Sequence, residues 1–222
     1  MKNTQKTKQK ANGKSAQKII DDYIGYVLQA GKQPPSVFKF CFDCGLSEDD
    51  FYKVAGSFEG LDRIIWKELI ESVVTKLTSD QAFSEFTSRE KVLSFYFALF
   101  ERFKSERSYM IYKLGQRKIE VVPGYLKDFH KIFAEFFNQR IAEGRAKGEV
   151  ATRPLIDNGY PQLFWVHFAF LLHFWKGDNS ANFEQTDVAI EKSVNLTFDL
   201  IGKGAVDTAI DFARFMFQNK TN

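Results

Sequence analysis

The chain has 222 residues, 44% of them hydrophobic and 24 of them Phe, and a formal net charge of +3. This length can bury a substantial core, which excludes a wholly disordered chain, and a Phe content about twice ordinary usage must be buried or must bind something. A membrane span is excluded too: the longest apolar run, Leu163 to Trp175, is interrupted by His167 and His173 and falls short of the roughly twenty residues a span needs.

The first eighteen residues hold six lysines (Lys2, Lys6, Lys8, Lys10, Lys14 and Lys18) and no acid; without them, 25 basic residues face 28 acidic ones. Residues 1–14 are expected to form a disordered basic arm, either solvated or lying along a phosphate backbone. No leader peptide is expected, because the early residues lack an apolar stretch, and the protein is expected to be cytoplasmic.

Ile19, Ile20, Tyr23, Ile24, Val27 and Leu28 recur at one-, three- and four-residue steps. They predict a first helix, capped by Ser15 and ended by Gly31. Pro34-Pro35 impose an extended turn before a short second helix, Ser36 to Cys44, closed by Gly45. Ser47 caps a third short helix, Glu48 to Val54, whose acidic first turn suits the helix dipole. Ser57 caps a long fourth helix with a stripe of Leu61, Ile65, Leu69, Val73 and Leu77. Cys41 and Cys44 form a Cys-x-x-Cys on one face of the second helix. With three His and no further Cys in the chain, they read as two small buried residues rather than as half a zinc site.

Ser88 to Arg107 carries apolar residues around most of its circumference and predicts a buried helix; a short piece, Tyr109 to Leu114, follows. Pro123 opens a helix to Gly144, with Phe129, Phe133, Phe136 and Phe137 on one broad face. Pro161 to Lys176 is apolar nearly all round, as a helix buried between two surfaces would be. After a polar turn at Asp178 to Asn182, two amphipathic helices, Glu184–Ile201 and Val206–Asn219, complete nine or ten helices. The expected class is all-α. The sequence carries no Gly-x-Ser-x-Gly, phosphate-cradling Gly loop or metal motif, so no enzyme, cofactor or metal is expected, and His130, His167 and His173 read as core or pocket residues.

The stretch Pro35-Ser36-Val37-Phe38-Lys39-Phe40-Cys41-Phe42-Asp43-Cys44-Gly45-Leu46-Ser47, followed by Phe51-Tyr52, Ser57, Glu59 and Leu61, resembles the TetR family of helix-turn-helix regulators. In that family a Thr-Thr-Val start, an Ala-Gly-Val-Ser turn, a Leu-Tyr pair and a Ser-Lys-Glu-x-x-Leu sequence fall at this spacing. The resemblance implies a helix-turn-helix domain over residues 15–60 and a helical regulatory domain over 61–222. It also implies a homodimer through the helices near 161–176 and 184–201. Operator DNA would be contacted by Ser36, Lys39, Ser47, Glu48, Asp49, Tyr52 and Lys53. A hydrophobic small molecule or lipid would be lined by Tyr96, Phe100, Tyr109, Tyr112, Phe129, Phe133, Phe164, His167, Phe168 and Leu171, on the inward stripes of the central helices.

The recognition helix departs from the family pattern Ser-x-Gly-Thr-Leu-Tyr: it reads Ser47-Glu48-Asp49-Asp50-Phe51-Tyr52, Phe58 stands where the family has Lys, and Ala55 where it has an aromatic. Residues 34–58 hold two lysines against four carboxylates, which opposes phosphate binding. A second expectation is therefore a lipid- or isoprenoid-binding protein of this architecture without DNA recognition, similar in outline to ubiquinone-biosynthesis accessory proteins.

Overall fold

The computed structural model describes residues 2–115, 122–153 and 159–202, together with Gly204, Thr208, Phe212, Phe215 and Met216; side chains are described from Ala16 onward. Among these residues the chain is all-helical, with ten α-helices. They are α1 (Lys2–Ala30), α2 (Val37–Cys44), α3 (Glu48–Val54), α4 (Phe58–Ser79), α5 (Gln81–Glu85), α6 (Ser88–Lys104), α7 (Arg107–Gly115), α8 (Lys127–Ala146), α9 (Tyr160–Gly177) and α10 (Glu184–Ile201).

The helix α1 begins at Lys2, within the segment expected as an arm, and Ser15 lies inside it rather than at its cap. The reason is local, since Lys, Gln and Ala are good helix formers, no Pro interrupts them, and an isolated Gly13 costs only about 1 kcal/mol. The single turn α5 was not anticipated; Asp80 caps it by accepting from the Ala82 amide at 2.9 Å, and it buries Phe83. The helix expected from Pro123 starts with a 3₁₀ turn, Gly124–Leu126, before α8. Apart from Thr208, Phe212, Phe215 and Met216, the last expected helix lies outside the described residues.

Two compact units are formed, Met1–Ile70 with Arg102–His130, and Glu71–Glu101 with Lys131–Asn222. In the first, Tyr23, Phe40, Phe51 and Phe58 are all buried. Tyr23 and Phe58 stack at 5.3 Å, while Phe40 and Phe51 meet Phe58 edge-on at 5.8 and 5.5 Å. Phe58, at the position where the resemblance implies a Lys, thus serves the core of α1–α4. Arg63 of α4 holds Asp128 through two nitrogens, at 2.9 and 3.2 Å.

Deeper in the same unit an ionic group sits among aromatics. Asp62 and Lys113 are 2% and 7% exposed. The Asp62 carboxylate accepts from the Tyr109 hydroxyl at 2.5 Å and from the Lys113 ammonium at 2.6 Å. Burial, reinforced by the Asp62 charge, pushes the Tyr109 and Tyr23 hydroxyls up, so both stay protonated and able to donate.

The second unit is built on rings. Phe133 stacks on Phe137 at 4.3 Å, Phe137 on Phe164 at 4.5 Å, and Phe95 on Phe136 at 4.5 Å. Glu149 accepts from the Ser88 amide at 2.7 Å, placing an anion at the start of α6, where the helix dipole favours it. Gly144 permits this approach, because a Cβ there would meet Val150 at 2.6 Å. The predicted polar turn is organised by Asp178. Burial would raise its pKa, but hydrogen bonds from the Ser180 and Thr186 amides and hydroxyls outweigh it and hold the carboxyl at about 2. At the other end of α10 the Arg153 guanidinium caps the carbonyls of Leu200, at 3.1 Å, and Gly202, at 2.8 Å, a cation at the negative pole of the helix.

Candidate functional site

The α2–α3 pair is a helix-turn-helix whose ends are set by local chemistry. Ser36 caps α2, its Oγ accepting from the Lys39 amide at 3.1 Å. Gly45 adopts a left-handed φ of 64°. The Leu46 amide reaches back to the Cys41 carbonyl at 2.8 Å and the Gly45 amide to that of Phe42 at 3.4 Å, the pairing of a Schellman turn. Ser47 caps α3, accepting from the Asp50 amide at 3.1 Å and donating its hydroxyl proton to the Asp50 carboxylate at 2.6 Å. These contacts follow from Ser, Gly and Asp at fixed offsets, which is why this part of the fold was legible in advance.

A Cβ at Gly45 would meet nothing within 4 Å, so substitution there costs backbone conformation rather than space. Gly45→Val is expected to lower unfolding stability in urea by about 1–2 kcal/mol. Gly45→Asn, which visits the left-handed region, should recover most of the loss.

All seven residues expected to meet DNA (Ser36, Lys39, Ser47, Glu48, Asp49, Tyr52 and Lys53) are solvent-exposed. Both lysines are engaged by neighbouring carboxylates: Lys39 pairs with Asp43 at 2.5 Å, and Lys53 with Asp49 at 2.5 Å and Asp50 at 3.2 Å. The Ser47 hydroxyl and Lys53 hold Asp50 below the usual carboxylate range, so its carboxylate stays ionised. Sequence reading passed over a pair of exposed aromatics on α2. Phe38 and Phe42 are 64% and 73% exposed and stack at 6.3 Å, four residues apart on the face opposite the buried Phe40. Cys41 and Cys44 are free thiols. Burial pushes both up, unlike the low-pKa thiols of redox motifs. No group of three or more His, Cys, Asp or Glu that could hold a metal ion occurs among the described residues.

The ten residues expected to line a ligand divide between the units. Tyr96, Phe100, Phe133, Phe164, His167, Phe168 and Leu171 lie in the second unit, and all are buried. Tyr109, Tyr112 and Phe129 lie in the first, where Tyr109 serves Asp62 and Phe129 meets Trp66 edge-on at 6.0 Å. Within the second unit His167 is the one polar member besides Tyr96. Its ring meets Tyr96 edge-on at 5.1 Å, and its Nε2 lies 2.7 Å from the Ser193 Oγ. Its Nδ1 is buried without a hydrogen-bond partner, a state that costs about 1–3 kcal/mol when uncompensated. Burial lowers the His167 pKa to about 4, so the ring is neutral near pH 7. Ser193, in the middle of amphipathic α10, was missed because nothing in its neighbours along the chain marks it as facing α9.

A glycine-turned helix pair on an aromatic three-helix base, followed in the same chain by an aromatic helical unit, defines an all-α helix-turn-helix protein. The chain belongs to the TetR family: residues 91–216 match the family model described as tetracyclin repressor-like, C-terminal domain. The matched segment starts within α6 and leaves the helix-turn-helix outside it, so that element rests on its own geometry. Comparison with curated proteins gives no match. No helix among the described residues is long and apolar enough to cross a membrane.

Proposed function

We propose that the protein is a dimeric cytoplasmic transcriptional regulator that docks operator DNA through α2 and α3 and responds to a hydrophobic ligand held in the second unit. The observation that carries this reading is the complete helix-turn-helix, with Ser36, Ser47 and Tyr52 presented to solvent. The pairs holding Lys39 and Lys53 are exposed, and exposed pairs are worth only about 0.2–1 kcal/mol each, so either lysine can be given up to a phosphate at small cost. The six lysines of residues 1–18 supply attraction that the acidic head lacks. Regulation needs no chemistry: a ligand favouring one spacing of the paired heads shifts the population away from the other.

Support for the dimer comes from α9 and α10. On α9 the large side chains Leu163, Val166 and Phe170 are exposed at steps of three and four, and on α10 Val188, Leu196 and Leu200 are exposed. An apolar stripe on two adjacent helices is the surface that a second copy would cover to make a four-helix bundle.

Fluorescence anisotropy with DNA from the gene's own upstream region tests the reading. Saturable, sequence-selective binding is expected at low salt, weakening at moderate salt; no binding at low salt overturns it. Replacing the acidic run with family-like residues (Glu48→Gln, Asp49→Gly and Asp50→Thr together) is expected to raise DNA affinity on the order of tenfold or more, since like charges at a desolvated interface cost several kcal/mol. The engagement of Lys53 by both Asp49 and Asp50 favours the second reading, a lipid- or isoprenoid-binding protein without DNA recognition. Ligand co-purification with no DNA binding by either protein would support it.

A further inference from the structure

Ser193 has one hydroxyl proton and three neighbours for it: the Ala189 carbonyl at 2.6 Å, the Ile190 carbonyl at 3.4 Å and the His167 Nε2 at 2.7 Å. Carbonyls only accept, so the proton goes to Ala189, and the Ser193 oxygen is left to accept from His167. Nε2 therefore carries the ring's hydrogen. A buried neutral imidazole has only one, so Nδ1 is a bare acceptor, and it is the atom with no partner. The hydroxyl of Tyr96, whose ring meets His167 edge-on, donates to the Phe164 carbonyl at 3.3 Å. The same commitment of the Ser193 proton prevents this Ser–His pair from acting as nucleophile and base.

A buried acceptor without a donor is uncommon in folded proteins and calls for a partner. A cationic donor would have to leave its charge unpaired among rings, so the partner is neutral. The surroundings of the imidazole are aromatic, with Tyr96 edge-on at 5.1 Å and Phe164 at 6.5 Å, the kind of neighbour an aromatic ligand prefers. We propose that His167 Nδ1 anchors the hydroxyl of a phenol-class apolar ligand inside the second unit, with Ser193 as the positioning residue that sets the tautomer. This deepens the ligand-responsive reading above and rests on it.

Two measurements on the full chain test it. Long-range ¹H–¹⁵N correlation spectra, with His167 assigned by its loss in His167→Gln, should show the Nε2–H tautomer; an Nδ1–H tautomer overturns the proposal. Calorimetric titration then compares 4-octylphenol with its methyl ether, which keeps the apolar body and lacks the donor. The phenol is expected to bind about tenfold more tightly, the worth of one buried hydrogen bond. His167→Phe should abolish the difference while still binding the ether. Ser193→Ala, a milder change should His167→Phe not fold, should reduce the preference several-fold. Equal binding of both probes to the native protein, as when water satisfies Nδ1, overturns the anchor and leaves the ligand-responsive reading standing; no binding of either overturns both. A preference unchanged in the variants also overturns the anchor.

Discussion

Lys113→Ala is expected to destabilise the protein by about 3–5 kcal/mol, the cost of leaving a buried charge without its partner. Asp62 is almost wholly buried, and the substitution would leave its carboxylate with the Tyr109 hydroxyl as its remaining donor among the hydrogen bonds described. The pair itself contributes far less than that loss, because taking both ions out of water cancels most of their attraction. The double variant Asp62→Asn with Lys113→Met should therefore recover most of the stability. Urea unfolding followed by circular dichroism distinguishes the cases: a loss below about 1 kcal/mol for Lys113→Ala would mean that water reaches the carboxylate and that the pair behaves as a surface bridge. Since Asp62 stands on α4 and Tyr109 and Lys113 on α7, the same experiment measures how tightly α7 is held to the base of the helix-turn-helix.

Phe133→Ala carries the second large effect, and its size decides between two roles. The ring is fully buried and meets Phe95 at 5.9 Å, Phe137 at 4.3 Å, and Trp165 and Phe168 both at 5.4 Å. If these contacts are solid core, removing the ring leaves a cavity and costs about 3–5 kcal/mol. A ring that instead forms the wall of a ligand chamber already faces space on one side, loses fewer contacts, and should cost under about 2 kcal/mol while weakening apolar ligand binding. Thermal unfolding of the variant with and without 4-octylphenol separates the outcomes, because ligand that binds only the folded state raises the transition temperature by mass action.

Much of this molecule was readable along the chain because its signals are local. Ser36, Gly45, Ser47 and Ser57 cap or close helices through bonds that span three to five residues, and α3 has the expected bounds. The apolar steps of Tyr23 and Val27, and of Leu61 and Ile65, are buried as their spacing requires. At the arm two local tendencies compete: its composition cannot bury surface, whereas the helical preference of Lys, Gln and Ala, with which α1 runs from Lys2, needs no burial.

The sequence by itself determined the helical class, the glycine-turned pair and the acidity of the first turn of α3, since each depends on residues close together in the chain. Only the tertiary structure decided that Asp62 meets Lys113 fifty-one residues away, that Ser193 faces His167 across twenty-six, and that one side of α9 remains uncovered. Those pairings depend on which helix faces come together, a choice made by the packing of whole side chains across the fold that periodicity within one helix does not encode.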